Sequence, residues 1–126
     1  MAVSSEFTDY LKELMAPLGP VTVRRMFGGA GLFADGLMFA LIADDVLYLK
    51  ADAASRALFE AEGLSPFVYT ARGDKRAVMS YWQAPERIFD DPEEFVTWAR
   101  EALSAAFRAD AAKPPGRRKS IGTPRP

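Results

Sequence analysis

The side chains that most often carry out catalysis are absent from this sequence or poorly placed. The chain has no His and no Cys, so the commonest general base, the commonest zinc ligand and thiolate chemistry are all missing. Ser80 therefore has no His to activate it. The acidic groups Asp44-Asp45 and 90–94 suit a hairpin turn and a helix start, which account for them without a metal or an acid–base role. We predict that the chain is not an enzyme and has no cofactor and no metal site.

A glycine cluster is the other feature that suggests chemistry, because glycine-rich loops cradle phosphates. Such loops open a helix, so that free backbone amides face the anion. Here the glycines lie between apolar, extended segments, and no Lys-Ser pair follows them. We therefore interpret them as bending the backbone of a strand, with a hairpin turn further on. The resulting structural motif comprises Met26, Phe27, Gly28, Gly29, Gly31 and Gly36.

Two pairs of neighbouring residues are candidates for binding a partner. Arg24 and Arg25 are neighbours in a predicted strand, so their side chains point to opposite faces. One of them could bind a carboxylate or phosphate of a partner. The alternative is an ion pair with an acid of the same chain. Tyr81 and Trp82 also point to opposite faces of their strand, so we expect one ring in the core, while the other either covers the sheet or is exposed to contact a partner. These four residues form the predicted contact surface.

The elements that must position these residues follow from the apolar pattern. A chain of 126 residues is sufficient for one domain with a core. Apolar stripes at helical spacing predict three helices, and alternating apolar runs with turn residues predict five strands. We expect an α+β two-layer sandwich, in the order α-βββ-α-ββ-α, with the helices on one face of a mainly antiparallel sheet. The predicted helices span about 6–16, 53–62 and 91–110, and the strands 21–27 with an extension to 33, 37–43, 46–50, 66–72 and 76–83.

The last part of the chain differs in composition from the rest. Residues 111–126 are rich in Pro and Arg and contain no acid, which predicts a disordered basic tail after a domain at 1–110. This tail gives an alternative function, in which Lys113, Arg117, Arg118, Lys119 and Arg125 contact nucleic acid. The body is acidic, which disfavours DNA binding by bulk charge. We see no signal peptide and no membrane-length apolar run, and we expect a cytoplasmic protein.

The motifs together resemble one protein family. Met26-Phe27-Gly28-Gly29, Asp35-Gly36, Met38 to Ile42, Leu47 to Lys50 and Met79 to Trp82 occur in the order seen in the N-terminal domain of the TfoX/Sxy family, and the similarity extends over about residues 5–108. The resemblance implies a fold similar to that of small secretion chaperones. It also implies a transcriptional co-regulator of competence genes that works with the cyclic-AMP receptor protein, without enzymatic activity or a cofactor.

Two departures from the family pattern limit this comparison. Many members have an aromatic residue where this chain has Ala30, and full-length regulators have a second, helical domain where this chain has its basic tail. We therefore expect a non-enzymatic bacterial domain that binds another protein, with a role in transcription control. The alternatives are nucleic-acid binding through the tail, and a chaperone-like dimeric adaptor in which sheet edges of two copies pair.

Overall fold

The computed structural model describes residues 5–26 and 28–117, and it shows an antiparallel sheet of six strands with three α-helices packed on one of its faces. The strands lie in the order β1-β2-β3-β4-β6-β5. The predicted fold class is confirmed, with one strand more than expected. The helices are α1 (Ser5–Leu14), α2 (Arg56–Ala61) and α3 (Pro92–Ala111), and the strands are β1 (Thr22–Met26), β2 (Gly29–Ala34), β3 (Leu37–Ala43), β4 (Val46–Lys50), β5 (Pro66–Ala71) and β6 (Asp74–Gln83).

The additional strand arises at the glycine cluster. We expected one bent strand through this region, and that expectation was wrong. Met26 pairs with Gly29, so β1 and β2 are antiparallel neighbours in a hairpin. Gly28 has φ +72°, a left-handed conformation that glycine adopts without steric cost. Phe27 lies outside the described residues.

The remaining hairpins close through two-residue turns in which both residues have positive φ. Asp35 and Gly36 connect β2 to β3 as predicted, and Asp44 and Asp45 connect β3 to β4. Positive φ at both turn positions is the type I′ geometry that matches the twist of the strands. The turn between β5 and β6 consists of residues 72–73, one residue earlier than predicted.

Aspartate side chains cap the starts of two helical segments. Asp91 accepts a hydrogen bond from the Glu94 amide at 3.2 Å and caps α3, as its sequence predicted. Asp52 also caps a turn, because its carboxylate accepts from the amides of Ala54 and Ser55. The α-helix that follows starts only at Arg56, so α2 is shorter than expected.

The core lies between the helices and one face of the sheet. Leu32 pairs with Ala40 and Phe33 with Met38, which leaves Phe39 as an extra residue in β3. This bulge turns both Phe39 and Ala40 towards the helices, where they are fully buried. The largest other side chains with no more than 1% exposure here are Phe59, Phe95, Leu11, Met15, Leu32, Ile42, Leu49 and Ile88.

Candidate functional site

One face of the sheet is covered by no helix of residues 5–26 and 28–117, and much of it is apolar, although an antiparallel sheet with helices on one side is commonly polar on the other. The side chains on this face alternate with the core residues of each strand, and most are half-buried by one another. We call this surface the helix-free face. Its residues include Arg24, Met26, Gly31, Phe33, Met38, Leu41, Tyr48, Lys50, Phe67, Tyr69, Arg76 and Tyr81, with the polar Thr22, Asp74 and Gln83 towards its ends.

One half of the helix-free face is built around Gly31. A Cβ placed on Gly31 would lie 2.6 Å from the sulfur of Met38, 3.0 Å from Cε of Met26 and 3.1 Å from Cε1 of Phe33. The missing side chain therefore lets both thioethers and the ring lie against the backbone. Methionine side chains are flexible and polarisable, which suits an adaptable contact surface. We call Met26, Gly31, Phe33, Met38 and Leu41 the methionine patch.

Two cations lie on aromatic rings at the borders of this face. The guanidinium of Arg24 is 5.3 Å from the centroid of the Phe33 ring, and the Lys50 ammonium is 5.1 Å from the centroid of the Tyr81 ring. Burial lowers the pKa of Lys50, and the positive charge of Lys113 lowers it further, against the opposite effect of Asp52. Both arrangements are cation–π contacts, so the apolar surface has a cationic rim.

Neither Tyr81 nor Trp82 presents an exposed ring, so of the two alternatives for the second ring the sheet-covering one is correct. Tyr81 is on the helix-free face but only 6% exposed, and its hydroxyl donates to the carbonyl of Met38 at 3.1 Å. Burial raises the pKa of this hydroxyl far above its usual range. Trp82 is on the core face, 4% exposed, and its indole N–H donates to Met79. Residues of other strands help to bury Tyr81, and the alternation of side chains along β6 alone cannot predict that burial.

Arg24 and Arg25 lie on opposite faces, as predicted, and do not form one site. Arg24 is part of the helix-free face. Within the described part of the chain, no ion pair joins either arginine to an acid. Arg25 instead borders a cavity of about 120 Å³ between α1 and the sheet, together with Ser5, Thr8, Asp9, Val23 and Ala30.

The second half of the helix-free face continues onto a hairpin whose two strands were predicted from the sequence, but whose projection beyond the rest of the sheet was not. Only Tyr81, Trp82 and Gln83 of β6 pair with β4. The pairs from Phe67↔Val78 to the turn join β5 and β6 alone. We call residues 67–78 the hairpin arm. The signal in the sequence was a β-prone, uncharged run at 67–71 followed by three cations and one acid within residues 72–76.

Several acidic side chains near the helices hold elements together. Arg108 bonds to Asp52 and Glu101, and Arg87 bonds to Glu62 and Glu94. Across residues 5–26 and 28–117, no three acidic side chains come together in a way that could hold a metal ion. No helix in the described part is long and apolar enough to cross a membrane.

The basic tail is described only as far as Arg117. Lys113 has its ammonium 3.9 Å from a carboxylate oxygen of the buried Asp110, so this first cation of the tail folds back on α3. Arg118, Lys119 and Arg125 lie outside the described residues. Nucleic-acid binding by the tail stays a prediction.

Comparison with known proteins places this fold in a family. The model of the TfoX N-terminal domain matches residues 13–106, which is most of the chain. The chain belongs to the TfoX N-terminal domain family. This TfoX N-terminal domain is also similar to the DNA transformation protein TfoX1 of Aliivibrio fischeri (strain ATCC 700601 / ES114), with 29% identity over 101 residues. The aligned part covers 80% of this chain and 46% of the relative, so the chain spans less than half the length of that protein.

Proposed function

We propose that this TfoX N-terminal domain is a non-enzymatic protein-binding module that takes part in the control of DNA uptake. The observation that supports it most directly is the apolar helix-free face, where a two-layer sandwich is commonly polar. Apolar surface with a polar border is typical of sites where proteins associate. The name of the A. fischeri relative, a DNA transformation protein, supports the biological setting.

The methionine patch is the centre of the proposed contact. Met26, Phe33, Met38 and Leu41 are half-buried by one another and gather around Gly31. A partner that covers them would complete the burial of side chains that are now partly exposed to water. Each such side chain would contribute on the order of 1 kcal/mol or more to the free energy of binding. Arg24 at the border suits a carboxylate of the partner.

A charge introduced into the methionine patch tests this function. We expect Leu41→Lys to abolish capture of the protein partner from lysate of the native cell, because an unpaired ammonium would be buried in the contact. The matched control is Leu58→Lys in α2, since Leu58 is 50% exposed on the helix side and its replacement should leave capture unchanged. Circular dichroism melting verifies that both variants fold.

The cellular role is measured separately, by transformation frequency. Deletion of the protein should lower this frequency, and the unmodified chain and Leu58→Lys should restore it while Leu41→Lys should not. Equal capture by Leu41→Lys would refute the contact surface. A deletion without effect on transformation would refute the role in DNA uptake while leaving the contact surface intact.

A further inference from the structure

We propose that the second half of the helix-free face, together with the hairpin arm, binds single-stranded nucleic acid. This site adjoins the methionine patch, because Tyr48 pairs with Leu41, but it uses different side chains, so the proposal goes beyond the protein-binding function and does not depend on it. It also differs from nucleic-acid binding by the basic tail, because it uses residues of the folded sheet. Three features of the structure support it.

The first feature is a row of aromatic rings that leads onto the arm. Tyr48 and Phe67 are in edge-to-face contact with ring centroids 5.0 Å apart, and Phe67 and Tyr69 are 6.3 Å apart with nearly parallel rings. Tyr69, at the outer end of the row, is 43% exposed. Rows of rings on an open sheet are platforms on which unpaired bases stack.

The second feature is the cations that accompany these rings. Arg76 is directly opposite Tyr69 across the hairpin and on the same face, whereas Lys75, opposite Thr70, points to the other face. Arg72 is in the turn, Lys50 is at the base of the row, and Asp74 is the one acid of the arm. A backbone of phosphates can therefore follow the cations while its bases reach the rings.

The third feature is the unusual residue in the turn of the arm. Four non-glycine residues of the described chain have positive φ, and three of them are Asp, which tolerates this conformation. The fourth is Arg72, with φ +54°. Asn is favoured at this position of a type I′ turn. An arginine held in an unfavourable conformation indicates that a cation is required at the tip.

An acidic protein segment would also match the cations, but the rings favour nucleic acid. Aliphatic anchors of a protein prefer a surface such as the methionine patch, whereas the arm offers a partly exposed ring beside a guanidinium. Double-stranded nucleic acid keeps its bases stacked and cannot use the rings. The expected ligand is therefore a single strand without strict sequence preference.

The test is fluorescence anisotropy of the full chain with a labelled 20-nucleotide dT strand at 50 mM salt. Tyr69→Leu keeps an apolar side chain but removes the ring, so we expect affinity to fall roughly ten-fold, while Tyr69→Phe retains it. If Lys50, Arg72 and Arg76 contact phosphates, affinity should fall about twenty-fold between 50 and 200 mM salt. Arg72→Asn should reduce the slope of log affinity against log salt concentration by about 0.7, and it should not lower the melting temperature of the protein. Lys12→Asn on the exposed side of α1 is the matched charge control and should change nothing.

Several outcomes would overturn the proposal. One is no binding of the dT strand at 50 mM salt. Another is binding that Tyr69→Leu and Arg72→Asn leave unchanged, which would assign it to the tail or to bulk charge. Equal affinity for the same dT strand paired with dA would also contradict the proposal. If polyglutamate of the same charge competed as strongly as the dT strand, the site would instead favour an acidic protein partner.

Discussion

At the scale of single residues, Gly29 has the least freedom to change. It begins β2 at a position where a Cβ would lie 2.0 Å from the backbone carbonyl oxygen of Ile42 on β3. Backbone atoms cannot move aside as a flexible side chain can, so the two strands would have to separate. For Gly31, by contrast, the three atoms nearest to an added Cβ all belong to side chains.

We expect Gly29→Ala to destabilise the fold by about 3 kcal/mol, the upper range for overpacking at a rigid site. Urea unfolding measures this change. Gly116→Ala is the control, because a Cβ on Gly116 would have no atom within 4 Å. A change for Gly29→Ala as small as that of the control would show that β2 and β3 can separate freely at this point.

The residue scale also shows where sequence reasoning was limited. Alternation along one strand correctly predicted that Arg24 and Arg25, and likewise Tyr81 and Trp82, point to opposite faces. It could not predict that Lys50 and the Met38 carbonyl cover Tyr81, because both belong to other strands. Burial depends on strand order, and that order is set by contacts distant in sequence.

At the scale of elements, Asp52 connects the start of the α2 segment to the last helix. Its carboxylate caps the turn before α2 and accepts from Arg108 of α3 at 2.6 Å. The Arg108 hydrogen bond is the largest cause that lowers the pKa of Asp52 to about 2. This pKa is below the value of about 3.9 in an unfolded chain, so the charged form stabilises the fold.

The sign of this shift predicts a pH dependence. The contribution of Asp52 is complete above the unfolded pKa and is lost as the pH falls from about 5 towards 2. Asp52→Asn can still cap the turn but cannot pair with Arg108, so we expect it to be less stable than the unmodified chain by about 1 kcal/mol at pH 7. Guanidinium unfolding should show that this difference shrinks as the pH falls to 2. A difference that stays constant with pH would mean that the ion pair contributes nothing.

Elements were predictable where local signals were strong. The Asp91-Pro92 start of α3 and the Asp35-Gly36 turn were found because capping and left-handed turns depend on a few adjacent residues. The β1–β2 hairpin was missed because three glycines fit both a bend and a turn. The Met26↔Gly29 pairing decides between the bend and the turn, and it depends on the folded structure rather than on the local sequence.

At the scale of the whole molecule, charge is divided between the two layers. Among the described residues, those in the strands and their turns include six basic and four acidic side chains, whereas the helical segments and connections hold seven basic and thirteen acidic ones. The nearly neutral total of −1 therefore hides a cationic sheet side and an acidic helix side. Two copies that met through their helix-free faces would bring cationic rims together.

This distribution of charge predicts that the cations bordering the helix-free face prevent two copies from associating through that face. We expect a monomer at micromolar concentration and 150 mM salt, and we expect Arg24→Met combined with Lys50→Met to associate, because the change removes repulsion and enlarges the apolar surface. Sedimentation velocity measures both. Lys12→Met on α1 is the control and should remain monomeric. A stable dimer of the unmodified chain would favour the dimeric adaptor, since the helix-free face or a sheet edge would then be covered by a second copy.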